Sequence, residues 1–179
     1  MKYCSLFMLF LFLLVLHVRC DIKQATKMEV SIEFIINSSV KWTKEAYLII
    51  ERNNNESSFI YCDRDSMDSY YLEKVVKKNG DSFIVMDDNI CLKTAEKEYL
   101  LGEELFTVER YRFDIAKTED EERDIFFNRQ LGVLVSNSIH WNTWMTFSRD
   151  SVSRSLIDKI IIDETFFIRL HPHSLGYVN

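Results

Sequence analysis

The sequence predicts a mainly β protein: a single antiparallel β-sandwich with at most two short helices, its jelly-roll or Ig-like topology left open. Three observations predict it. Apolar side chains recur with period two along most of the chain, which is the spacing of strands. Turn signals separate these runs at the short intervals usual in all-β domains. No Pro-rich or Gly/Ser-rich linker and no fixed-period repeat divides the 179 residues, which include four Gly and one Pro.

In chain order, the N-terminus reads first as a leader. Lys2 precedes an uncharged apolar run from Ser5 to Leu16, and Val18 and Cys20 stand at the −3 and −1 positions of a cleavage before Asp21. The run is shorter than the roughly 20 residues that span a bilayer. The expectation is a signal peptide over residues 1–20, a single domain over 21–179 and a secreted, extracellular product without stable membrane insertion after cleavage.

Met28, Val30, Ile32, Phe34 and Ile36 then alternate with more polar residues and form the first strand. Tyr47–Glu51 and Ser58–Cys62 flank Asn53-Asn54-Asn55 as a hairpin. Tyr70–Lys78 and Asp81–Asp87 flank Asn79-Gly80, a dipeptide suited to a type I′ turn; a short helix over Tyr71–Lys78 is the alternative. Ile90–Lys93 makes a short strand. Leu105–Ile115 is extended, and its apolar residues change parity near Glu109 and Arg110, which suggests a bulge there. Thr118–Asp124 is acidic and reads as a solvated loop or a short helix. Leu131–Val135 and Ile139–Phe147 are strands joined through Ser136-Asn137-Ser138. Ser151–Lys159 is ambiguous between helix and irregular chain. Ile160–Ile162 and Thr165–Leu170 read as closing strands around Asp163-Glu164, giving ten to twelve strands in all.

After cleavage, 20 basic residues face 28 acidic ones. That balance of −8 argues against nucleic acid as partner and against adsorption to anionic lipid. Cys62 and Cys91 are the two cysteines outside the leader, and an oxidising compartment predicts a disulfide between them. Asn37-Ser38-Ser39 and Asn55-Glu56-Ser57 are sequons for N-glycosylation at expected turns.

No catalytic motif emerges, and no cofactor is implied. No glycine pair brackets a serine in an elbow, and no His-Glu-x-x-His occurs. His140, His171 and His173 are the histidines beyond the leader. A zinc triad from them is the sharper reading and a polar strand end the plainer one, so no metal is expected. Trp141 and Trp144, if on one strand, point to opposite faces, so that one packs inside while the other meets solvent. With His140 beside them they are candidate binding residues for a sugar ring or a protein partner.

Gly102-Glu103-Glu104-Leu105-Phe106, the extended stretch after it and Phe127-Asn128-Arg129 resemble the second half of a galectin-type sandwich over a third of the chain. The sugar-contacting pattern of that family, with its Trp-Gly-x-Glu segment, is missing, so no site residue carries over. Function reads as a secreted, non-enzymatic interaction module for a protein or glycan. A carrier of a small apolar ligand is the alternative, motivated by 13% aromatic residues; a hydrolase with a spatially assembled site stands third. The carrier needs an internal cavity where the interaction module needs a filled core.

Overall fold

The computed structural model describes residues 24–64, 71–86, 88–113, 122–139 and 141–167. The strands are β1 (Gln24–Ile36), β2 (Ser39–Arg52), β3 (Glu56–Asp63), β4 (Tyr71–Lys78), β5 (Phe83–Met86), β6 (Asn89–Leu101), β7 (Glu104–Phe113), β8 (Arg123–Asn128), β9 (Gly132–Ser138) and β10 (Thr143–Ser148). A helix, α1 (Ser151–Ile162), follows them. Each strand pairs antiparallel with its neighbours in sequence, and β1 also pairs with β10, from Ser31↔Ser148 to Ile36↔Thr143. The sheet is therefore one closed ten-stranded barrel, which corrects the sandwich. Sandwich and barrel strands share the same alternation, and closure resides in a pairing between residues more than a hundred positions apart.

Alternation builds the interior. Val30 and Ile32 of β1, Ala46, Leu48 and Ile50 of β2, and Phe59 and Tyr61 of β3 point inward and join one buried cluster. Phe127 meets Phe59 edge-on with ring centroids 5.0 Å apart, and Tyr61 lies 4.9 Å from Phe147. A second cluster lies outside the wall, where α1 covers β6 to β10 through Leu156, Ile157 and Ile160. Strands β8 and β9 are consequently buried on both faces.

The structure corrects the closing strands: Ile160–Ile162 ends a helix, and residues 165–167 of the strand expected at Thr165–Leu170 form a turn, while residues 168–170 lie outside the described residues. Helix α1 runs through Ile162, and Phe166 and Phe167 are buried in the turn after it, in the outer cluster. The helix starts with a reciprocal cap: Ser153 N donates to Asp150 Oδ1 at 2.8 Å, and Asp150 N donates to Ser153 Oγ at 2.9 Å. At its end Asp163 accepts from Lys97 at 2.5 Å, Thr165 Oγ1 at 2.6 Å and Tyr99 Oη at 2.9 Å. Burial alone would raise the Asp163 carboxyl, but these donors bring it from 3.8 down to about 2. A carboxyl depressed in the folded state stabilises above its unfolded pKa and loses that effect as pH falls toward 2. Asp163→Asn should therefore cost about 1–2 kcal/mol at pH 7. Urea titrations should show the difference vanishing near pH 2.

The expected disulfide is also corrected: Cys62 and Cys91 are not joined. Cys62 shares the outward side of β3 with Ile60, whereas Cys91 belongs to the inner cluster. Two strands, β4 and β5, separate β3 from β6. Three interstrand steps are roughly 14 Å along the wall, against at most about 7 Å between Cα atoms that a disulfide bridges.

Other elements shift in detail. Strand β7 keeps a simple alternation, with Val108 in the outer cluster and Tyr111 and Phe113 in the inner one. The apparent parity change arises because both of its faces are buried. The pairing irregularity lies on its partner, between Lys93 and Ala95, where Thr94 Oγ1 accepts from Arg110 Nε at 3.1 Å. Ser136-Asn137-Ser138 continues β9, and the turn to β10 follows it. The Gly102 segment that resembles a galectin is the β6–β7 turn of the barrel.

Candidate functional site

The two ends of the barrel differ chemically. At one end the interior is closed by a buried polar network. Glu109 shares the inward side of β7 with Tyr111, and its carboxylate accepts from Tyr111 Oη at 2.7 Å and from Lys93 Nζ at 3.0 Å. Arg129, from the β8–β9 turn, reaches it at 3.4 Å. Lys77 of β4 lies 3.9 Å from the same carboxylate and donates to Tyr111 Oη at 2.6 Å, Asp81 O at 2.5 Å and Phe83 O at 3.4 Å. Lys77 and Glu109 are each 3% exposed.

Burial lowers the Lys77 ammonium pKa, with Glu109 opposing that shift. Burial alone would raise Glu109, but Tyr111, Lys93, Lys77 and Arg129 together hold it below its ordinary value. Tyr111 is pushed upward by burial and by the Glu109 carboxylate it serves. An ammonium has three protons, and Lys77 has three oxygen acceptors in reach. The network is thus a satisfied plug, without a spare proton donor or nucleophile at Lys77.

At the other end, the barrel opens into a cleft of about 460 Å³. Its walls are formed by Phe34 of β1, Met86 of β5, Phe113 of β7 and Met145 of β10, with Trp141 at the lip. Polar groups come from Asn89 of β6, Ser136 and Ser138 of β9, Thr143 of β10 and Arg123 of β8. The strand register explains this membership. Arg123 pairs with Phe113 on one side and Ser138 on the other, so all three face inward at the same level. Phe34 is paired with Met145 across β1 and β10 and stacks on Trp42 at 5.4 Å. Trp42 is 44% exposed, which extends the aromatic wall outward from the cleft.

The β1–β2 turn belongs to this end as well. Asn37 and Ser38 both adopt positive φ, 49° and 63°, as a two-residue hairpin turn requires. Asn142 Nδ2 donates to Asn37 Oδ1 at 3.0 Å and ties that turn to the one carrying Trp141. A further hollow of about 450 Å³ lies outside, where Glu29, Glu45, Arg149 and Arg154 line it with both signs of charge.

Trp141 is 60% exposed at the lip of the cleft. Trp144 is 3% exposed; it packs edge-on against Phe167 at 5.7 Å, under α1, and is also among the residues that line the cleft. Truncating Trp144 would open the outer core, so Trp141 is the tryptophan to vary as a binding residue. Asn37 and Asn55 are exposed in turns, the first beside the cleft and the second between β2 and β3. His140, His171 and His173 lie outside the described residues. Among the described residues no group of three His, Cys, Asp or Glu side chains is placed to hold a metal. Arg123 sits inside an acidic run, between Glu122 and Asp124, which hides it in the sequence. The available signal was the alternation Arg123, Ile125, Phe127, which gives the arginine the parity of two core residues.

No protein-family model matches the chain, and no curated protein sequence matches it. A crystal structure of a DUF1329 family protein from Desulfovibrio piger is similar at 7% identity, over 73% of this chain and 85% of that one, with a TM-score of 0.24.

Proposed function

We propose that the protein is a non-enzymatic binding protein that holds one small, largely apolar ligand in the mouth of its barrel. The observation that carries this reading is the cleft of about 460 Å³ lined by Phe34, Met86, Phe113, Met145 and Trp141. Pockets that bury small molecules usually measure about 300–1,000 Å³ and combine an apolar wall with a few polar groups. Carrier and interaction module differ in what they need: the first needs interior space and the second a filled core. The interior is packed around Phe59, Tyr61 and Phe127 and plugged at Glu109, yet space remains at the mouth. A ligand would therefore sit in this open cleft and not in an enclosed cavity, and the apolar lining of the cleft is what supports a small-ligand binder over an interaction module. An extracellular site of action fits the leader-like N-terminus.

The test is a titration with N-phenyl-1-naphthylamine, a neutral apolar probe that brightens when it leaves water. Saturable one-to-one binding is expected. Trp141→Ala should weaken it about five- to tenfold, through loss of one aromatic face. The side chain is mostly exposed, so folding should be retained. A folded protein that shows no saturable binding, or a variant that binds as well as the parent, would overturn the proposal.

A further inference from the structure

We infer that the mouth of the barrel selects a ligand with an anionic head, and that Arg123 is the residue that reads it. This deepens the proposed binding function and depends on it. Among the described residues that line the cleft, Arg123 alone carries a charge. Its position is set by strand parity. Ile125 and Phe127, two and four residues on, are fully buried in the inner cluster, so Arg123 occupies the next inward place at the rim. An inward place on a barrel strand ordinarily goes to an apolar or small side chain.

Arg112, on the outward side of β7, donates through Nε to Asp124 Oδ1 at 2.7 Å and lies 3.7 Å from Glu122. Arg129, at the other end, is paired with Glu109. Arg123 forms no ion pair with any described residue and is exposed at the opening. The groups at its own level are Ser138 and Phe113, its cross-strand partners, and neither offers a negative charge.

A guanidinium with a fixed fork of donors suits a carboxylate, sulfate or phosphate head. Beyond it, Phe113, Met86 and Met145 form an apolar wall for a tail. Ser136, Ser138 and Thr143 add hydroxyls that can donate to the same head. At roughly 30 Å³ per water-sized group, 460 Å³ holds about 15 such groups. That matches a short amphiphile such as a medium-chain acid, not a long-chain diacyl lipid. The shared chemistry is a single anionic head on a tail of about ten carbons.

Isothermal titration of the full-length protein with four ten-carbon probes tests this: decanoate, decyl sulfate, 1-decanol and decyltrimethylammonium. The two anions should bind at least tenfold more tightly than the alcohol, and the cation most weakly. Binding of both anions means that charge is read; binding of decanoate alone narrows the head to a carboxylate. Arg123→Gln should weaken the anions by about 10- to 100-fold, the range for losing a charge-assisted hydrogen bond. It should leave 1-decanol within about twofold. Arg154→Gln, on the outer surface, should change nothing. If all four probes bind alike, or Arg123→Gln leaves the order intact, the anionic-head inference fails while the binding function stands. If none binds, both fail.

Discussion

Glu109→Ala is expected to destabilise the protein by about 3–5 kcal/mol, measured as the shift in urea-unfolding free energy at neutral pH. The carboxylate is 3% exposed and is shared by Lys77, Lys93 and Arg129 at the plugged end; Lys93 also reaches the more exposed Glu96, but the buried Lys77 has Glu109 as its ion-pair partner. Its removal leaves Lys77 with a charge, sunk in the wall, and without its counterion. Breaking one side of a buried ion pair typically costs this much because the survivor stays desolvated. Lys77 is tethered in place, since its three protons are taken by Tyr111 Oη, Asp81 O and Phe83 O. Replacing both partners, with Lys77→Met and Glu109→Leu together, should recover much of the loss, since no charge then remains to be compensated. A double variant as unstable as Glu109→Ala alone would indicate that the network acts through shape and not charge.

Gly132→Ala is expected to cost about 3–6 kcal/mol. Gly132 opens β9 at a φ of +86°, a region that strains any side chain by roughly 1–2 kcal/mol. A Cβ there would stand 2.6 Å from Tyr61 Oη and 3.0 Å from Phe59 Cδ1. Neither atom can yield cheaply. Tyr61 is fully buried, and its hydroxyl accepts from Val133 N at 2.8 Å and donates to Val133 O at 3.3 Å. Overpacking typically adds 1–3 kcal/mol, and disturbing these buried hydrogen bonds adds more. Gly80 and Gly102 provide the control. They too have positive φ, 85° and 63°, but nothing lies within 4 Å of a Cβ built there. Their alanine variants should lose only the backbone term, about 1–2 kcal/mol. Equal losses at all three positions would show that the contact with Tyr61 is not the cause.

What the sequence disclosed follows from which interactions are local. Period-two alternation and turn residues are local, so the mainly β character and the place of the β4–β5 hairpin at Asn79-Gly80 were legible; the type I′ turn was not borne out, since only Gly80 has positive φ and four residues separate the strands. Closure was not, because the pairing of β1 with β10 leaves no trace in either segment. Strand β8 carries no period-two signal, because Ile125, Phe126 and Phe127 form an unbroken apolar run, the mark of burial on both faces. The helix was legible only as one of two readings of Ser151–Lys159, and its last turn read as a strand. Ile160-Ile161-Ile162 is β-branched and strand-like in composition, while the deciding signal, the Asp150–Ser153 cap, sits at the very start of the ambiguous stretch. The disulfide failed because an even cysteine count says nothing about which face of a strand each thiol occupies.

The site was legible in part. Trp141 could be singled out as an aromatic near a turn, but its distinction from Trp144 needed the start of β10. Trp144 lies inside that strand under α1, and Trp141 lies before it at the lip. Arg123 hid among acids.

The most direct measurement of a ligand-binding mouth is a methyl NMR titration of protein labelled at methionine, with N-phenyl-1-naphthylamine as the aromatic probe. Met86 and Met145 line the cleft, whereas Met28 packs against the inner cluster beside Arg149, away from the opening. The Met86 and Met145 signals should move together and saturate at one equivalent while Met28 stays in place. Movement of Met28 with the other two unmoved would contradict a binding site at the mouth of the barrel.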